Sequence, residues 1–182
     1  MASETLTSVY RQELCSMREC LPSDHQQRIS DGLLEELAVA LADGTVIEIL
    51  RGLQDIQQMS EKGLFHTRCM KIRDHKARIA ALEKKHRDVI AMTQSRPHHV
   101  PLLKQDHERE IKALQRRHQD ELRQTDMKIV LELDSLVGQQ QATMVKAGVP
   151  GYRITSDRND IQTQMHLTEF ILKLGQKYWK TK

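Results

Sequence analysis

The sequence predicts an all-α protein: a long antiparallel helical hairpin (coiled coil) carrying a small helical head and an amphipathic C-terminal helix. Three observations lead there. The first is an internal repeat. Residues 74–88 read DHKARIAALEKKHRD and residues 106–120 read DHEREIKALQRRHQD, with Asp74/Asp106, His75/His107, Ile79/Ile111, Leu82/Leu114, His86/His118 and Asp88/Asp120 among the identities at an offset of 32. The second is the segment between the copies, Ser95-Arg96-Pro97-His98-His99-Val100-Pro101, whose two prolines a helix interior would not tolerate. The third is composition. Charged residues make up 29%, hydrophobic residues 38% and aromatic residues only 3%, with 8 Gly and 4 Pro, which suits long solvated helices better than a compact globule.

The first helix is expected over residues 5–21, with Leu6, Val9, Tyr10, Leu14, Met17 and Leu21 near helical spacing and Pro22 ending it. Ser23-x-x-Gln26 reads as a capping box. Leu33, Leu34, Leu37, Ala38 and Leu41 form the next apolar face, stopped by Asp43-Gly44. Thr45-x-x-Glu48 reads as a second capping box, opening a helix with Val46, Ile49, Leu50, Leu53, Ile56 and Met59. Beyond Met59 the apolar positions thin out. The steps 72, 75, 79, 82, 86 and 89 alternate three and four residues, which is a two-helix seam. After the proline segment 107, 111, 114, 118, 122, 125 and 129 continue it. Lys146-Ala147-Gly148-Val149-Pro150-Gly151 ends the second arm, Tyr152–Thr155 reads as extended, and a last helix begins near Ser156–Asn159. The expected organisation is an N-terminal helix (1–22), a helical head (23–59), the hairpin (60–146, tip 95–101), and a linker with the amphipathic C-terminal helix (147–182).

Four histidines occupy seam positions. If positions summing to about 193 face each other, His86 meets His107 and His75 meets His118, while Ile79 meets Leu114 and Leu82 meets Ile111. Three readings stay open for these layers. The favoured one is register setting by polar seam residues. The second is a pH switch, since paired imidazoles repel when protonated. The third and least favoured is a zinc site on His75, His118, His86 and His107, because two histidines per layer leave ligands unsupplied. No cofactor is expected.

Other chemistry is sparse. There is no nucleotide loop, no G-x-S-x-G, no H-E-x-x-H and no nucleophile with an evident base, so the chain reads as a non-enzyme without a small-molecule substrate. Cys15, Cys20 and Cys69 form no C-x-x-C pair, which favours a reducing compartment. No signal peptide and no membrane span are evident, and an intracellular protein, cytoplasmic or nuclear, is expected. Formal net charge is +3. Lys84-Lys85-His86-Arg87 and Arg116-Arg117-His118 could suggest a nucleic-acid-associated nuclear factor. Interleaved Glu83, Asp88, Asp120 and Glu121 make a salt-bridged helix face the better reading, and no aromatics for base stacking lie nearby.

Laid out this way, the chain resembles a known family. Leu41-Ala42-Asp43-Gly44-Thr45-Val46-Ile47-Glu48-Ile49, then Gly52-Leu53-x-x-Ile56-Gln57 and Glu61-Lys62, are similar to the DiGeorge-syndrome-critical-region protein six family, which includes the insect gonadal protein. Arg96-Pro97-His98, the run Met127–Asp134, Gln140-Gln141, Lys146–Val149 and Gln164-Met165-x-Leu167-x-Glu169-x-Ile171-x-Lys173-Leu174 extend the match over residues 22–175. The resemblance implies a small, non-enzymatic, coiled-coil-containing protein linked to gonadal or neural-crest development. It brings no catalytic residue.

The functional expectation is an adaptor. Other helical proteins are the expected partners, in a homodimer or hetero-oligomer, because a two-helix seam this thin invites a third or fourth helix. Leu167, Ile171, Leu174, Tyr178 and Trp179 on the last helix are the candidate contact residues.

Overall fold

The computed structural model describes residues 2–93 and 95–179. The described residues form six α-helices and no strand: α1 (Ala2–Glu19), α2 (Ser23–Gln26), α3 (Asp31–Ala40), α4 (Thr45–Met92), α5 (Val100–Lys146) and α6 (Arg158–Tyr178), with a single 3₁₀ turn at Pro97–His99. The chain divides into two compact units. Unit 1 comprises Met1–Gln58 and Asp134–Lys182, and unit 2 comprises Met59–Leu133.

Local chemistry explains most helix ends. Ser30, which the sequence reading passed over, caps α3 by accepting from the Leu33 N–H at 3.2 Å. Neither expected capping box forms as read. Pro22 is the cap residue of α2 and Ser23 already lies inside the helix, without a side-chain cap bond. At α4 the donor group served is the N–H of Thr45 itself, which donates to Asp43 Oδ1 at 3.0 Å while Gly44 turns with φ +80°. Asp157 caps α6 by accepting from the Asn159 and Asp160 N–H groups. The end of α5 is a Schellman motif: Val149 N–H donates to Met144 O, Gly148 N–H donates to Val145 O, and Gly148 takes φ +70°. The accompanying apolar contact is made by Met144 and Val149, both buried in the unit 1 core.

α4 is longer than the sequence reading expected. A separate helix to Met59 followed by an arm from residue 60 becomes one helix through Met92. No proline lies between 45 and 92, and neither Gly52 nor Gly63 takes a positive φ, so nothing interrupts the hydrogen-bond ladder.

Unit 1 holds every buried apolar side chain of the described residues. Tyr10 and Leu14 of α1, Ile29, Leu34, Leu37, Ala38 and Leu41, Val46, Ile47 and Leu50 of α4, Met144, Val149, and Leu167, Phe170, Ile171 and Leu174 of α6 make one cluster. Each large side chain among them contributes roughly 1.5–3 kcal/mol by leaving water. The core therefore extends well outside the 23–59 head, drawing on α1 and α6 alike. Several polar groups within unit 1 are paired with backbone, although Gln141 Nε2 is buried without a partner. Arg51 donates to Gly175 O at 2.7 Å and also to Trp179 O, satisfying carbonyls at the end of α6. Gln164 Nε2 donates to Arg153 O at 2.8 Å, and Gln141 Oε1 accepts from the Thr155 N–H, which fixes the segment between α5 and α6.

In unit 2, residues 59–92 of α4 and 100–133 of α5 run side by side and antiparallel. Arg68 pairs with Asp126 at 2.7 Å, His75 stacks on His118 and His86 stacks on His107. Half-buried side chains follow the three-and-four spacing, with Ile72, Ile79, Leu82 and Val89 on one helix and Ile111, Leu114, Leu122, Thr125 and Ile129 on the other. None of these apolar side chains is fully buried.

Two glycine substitutions separate backbone strain from collision. Both Gly44 and Gly148 have positive φ, but a Cβ on Gly44 would stand 2.3 Å from the Trp179 ring, whereas one on Gly148 meets nothing within 4 Å. Gly148→Ala is expected to cost about 1 kcal/mol, and Gly44→Ala about twice that or more, measured by urea denaturation. Equal losses would mean that the Trp179 contact carries no weight.

Candidate functional site

Two places in unit 2 stand out: the paired histidine layers in the seam and an exposed apolar face of α5.

The layers obey the register read from the repeat. His75 and His118 stack with centroids 4.0 Å apart and planes 2° from parallel, and His86 and His107 stack at 3.7 Å and 2°. His75, His86 and His118 are each at most 7% exposed, making them the best-buried side chains among the described residues of unit 2. One carboxylate serves each stack. His75 Nε2 lies 3.0 Å from Glu121 Oε2, and His86 Nε2 lies 2.8 Å from Glu110 Oε2. Both ring nitrogens of His118 and the Nδ1 atoms of His86 and His107 are buried without a partner.

Protonation follows from this environment. Burial, and behind it the adjacent His75, push His118 below the usual histidine range. Hydrogen bonds from His75 and His86 hold Glu121 and Glu110 below the usual glutamate range, against the opposing effect of desolvation. A lowered histidine contributes stability that is present above its ordinary range and lost as pH falls. Lowered carboxylates likewise contribute stability above theirs and lose it on further acidification. Both effects make unit 2 less stable in acid.

The zinc reading does not fit this geometry. Imidazole lone pairs lie in the ring plane, so two parallel rings about 4 Å apart aim them into separate planes and not at a common ion. Among the described residues no group of three or more His, Cys, Asp or Glu is placed to hold a metal ion.

A third histidine pair escaped the sequence reading. His25 Nδ1 and His166 Nε2 approach to 2.8 Å in unit 1, with burial and then His25 lowering His166. The two residues are 141 positions apart, and no local pattern announces their meeting.

The candidate contact residues on α6 are relocated. Leu167, Ile171 and Leu174 are buried in the unit 1 core and offer no surface. The apolar face of α6 was legible, but amphipathicity alone does not say whether it meets its own chain or another. Tyr178 is partly exposed and donates to Glu13, which also binds Lys177, while Trp179 Nε1 donates to Tyr10 Oη at 2.7 Å. These two residues fasten α6 to α1.

The exposed apolar face lies on α5. Met127, Val130 and Leu131 are more than half exposed. With Leu122 and the polar residues Gln119, Arg123 and Asp126 they line an open groove of about 570 Å³. Their spacing of three and four places them on one stripe, separate from the seam that carries His118, Thr125 and Ile129. The basic residues of the repeat are exposed on both helices, with Arg117 paired to Glu121 at 3.4 Å. No described helix is long and apolar enough to cross a membrane.

Comparison with known proteins places the chain. Residues 7–182 match the family described as DiGeorge syndrome critical region 6 (DGCR6) protein. The chain belongs to this family. It is 44% identical over 165 residues to Protein DGCR6 of Gallus gallus, covering 91% of this chain and 82% of that protein. It is 31% identical over 155 residues to the Gonadal protein gdl of Drosophila melanogaster, covering 85% and 72%. No solved structure matches it. The matched region begins at residue 7 and so takes in Tyr10 and Leu14, the two core residues of α1.

Burial makes the outcome of one substitution specific. Leu167→Asp puts an unpaired carboxylate into the core and is expected to destabilise unit 1 by more than about 4 kcal/mol. Limited proteolysis should then cut near residues 160–175 first, and a variant as resistant as the wild type would place Leu167 outside the core.

Proposed function

We propose that the protein is a non-enzymatic adaptor that binds other helical proteins, or a second copy of itself, by helix-on-helix contact. The observation that carries this reading is the exposed stripe Met127, Val130 and Leu131 on α5. Water-facing apolar side chains at helical spacing are what a docking helix uses as anchors. They lie beside a seam with no fully buried apolar residue, where a further helix would cover surface that unit 2 leaves wet. Family membership supports a developmental setting, since relatives carry names that refer to the DiGeorge syndrome critical region and to the gonad. An intracellular site of action, cytoplasmic or nuclear, belongs to the same proposal.

The test is affinity purification of the tagged chain at moderate and high salt, with and without nuclease. The double variant Met127→Lys/Leu131→Lys is purified in parallel. A defined partner, or a second copy, is expected to survive both treatments with the wild type and to be lost with the variant. The substitutions should change stability by no more than about 0.5 kcal/mol because both positions are exposed. Recovery that vanishes with nuclease or salt would overturn the adaptor reading in favour of nucleic-acid association through Lys84, Lys85, Arg87, Arg116 and Arg117.

A further inference from the structure

The histidine layers are two copies of one arrangement. His75, His118 and Glu121 recur as His86, His107 and Glu110, displaced by eleven residues forward along α4 and eleven backward along α5. In each copy two imidazoles lie face to face, and a single carboxylate reaches the ring from α4. The ring from α5 has no such partner. His118 has neither nitrogen bonded, and His107 Nδ1 is buried and unbonded.

The charged groups around each layer come from both helices. At the first layer α4 supplies Lys71, 3.6 Å from Glu121, and the Asp74–Arg78 pair at 2.8 Å, while α5 supplies Glu121 and Arg117. Two carboxylates there face three cations, so the surroundings do not favour added positive charge. At the second layer α4 supplies Lys85 and α5 supplies Glu110.

We propose that each layer is a one-proton site, so that taking up a second proton requires α4 and α5 to part and unit 2 opens on mild acidification. The carboxylate can stabilise one imidazolium, and a neutral ring stacked on it completes the pair. A second imidazolium in the same stack would sit about 4 Å from the first and be hydrogen-bonded to no carboxylate of its own, whether on His118, which is buried, or on His107, which is half-buried with its Nδ1 enclosed. Once the helices part, both rings are hydrated and titrate in the ordinary histidine range. The closed form thus refuses a proton that the open form accepts, and acid favours opening. Between pH 7.5 and 5.5 the opening constant should rise roughly tenfold for each layer. The layers lie about 16 Å apart along each helix, beyond the screening length of physiological salt, so their effects should multiply to roughly a hundredfold. This device needs no partner and stands apart from the adaptor reading.

The experiment is hydrogen exchange of the purified full chain in EDTA at pH 7.5, 6.5 and 5.5, corrected for the intrinsic pH dependence of exchange. Peptides from residues 68–90 and 105–125 are read against peptides from 34–50 in unit 1. Exchange in the unit 2 peptides is expected to accelerate tenfold or more on acidification. The double variant His107→Leu/His118→Leu, which leaves one imidazole and its carboxylate in each layer, should remove that acceleration. A flat wild-type profile would overturn the proposal, as would a variant that accelerates as much as the wild type. Nuclear magnetic resonance of the wild-type imidazoles gives a second readout should the variant fail to fold. Only one ring of each stack should take up a proton while the chain stays folded, and protonation of all four layer histidines in the folded chain would also overturn it.

Discussion

Unit 2 depends on pairs of imidazoles lying flat against each other. In most helical pairs the deepest positions are aliphatic, and the interface tolerates changes of pH because nothing in it titrates. Here the deepest side chains are His75, His86 and His118, and the neighbouring Ile79, Leu82, Ile111 and Leu114 are only half covered. The stacked rings also fix the alignment of the two helices. Sliding either helix by one turn would set imidazoles against aliphatic side chains and strand Glu121 and Glu110 away from the nitrogens they bind. The register of the two helices and the proposed acid opening therefore rest on the same residues.

Unit 1 follows the opposite rule. Its interior is aliphatic and aromatic, and its buried polar side chains are largely occupied with backbone. Arg51 closes the end of α6, Gln164 binds the carbonyl of Arg153, and Gln141 accepts from Thr155. Such bonds contribute modestly when made, but leaving the buried groups bare is costly, which ties irregular segments to the helices beside them. His25 and His166 follow the same pattern at a wetter position, each serving as the other's hydrogen-bond partner.

Much of this was legible in the chain because periodicity and repetition are local. The all-helical class and the proline-bounded turn followed from spacing within short windows, whereas the facing of His75 with His118 needed an assumed register about the loop. The caps were harder to read. Ser23 and Thr45 both match a capping box, but Pro22 and Asp43-Gly44 sit one or two residues earlier and take over the turn. The break expected at Met59 rested on a fall in apolar content, which changes what a helix faces without ending it. The burial of Leu167, Ile171 and Leu174 was missed for a related reason. α6 advertises its apolar side more strongly than α5, yet the stronger signal is the one the chain consumes itself, and the weaker stripe at Met127, Val130 and Leu131 is left facing water. The pairing of His25 with His166 had no local signal at all.

The bond from Trp179 to Tyr10 joins residues 169 positions apart, and Lys177 and Tyr178 reach Glu13 over nearly the same span. During synthesis, the apolar faces of α1 and α3 leave the ribosome long before Leu167, Phe170, Ile171 and Leu174 exist to cover them. The two arms of unit 2 are made in between and can pair while unit 1 is still incomplete. Unit 1 therefore closes only after α6 has been made, and until then the apolar faces of α1 and α3 lack the side chains of α6. A ribosome stalled before residue 167 would release a chain with both arms of unit 2 and only part of the unit 1 core.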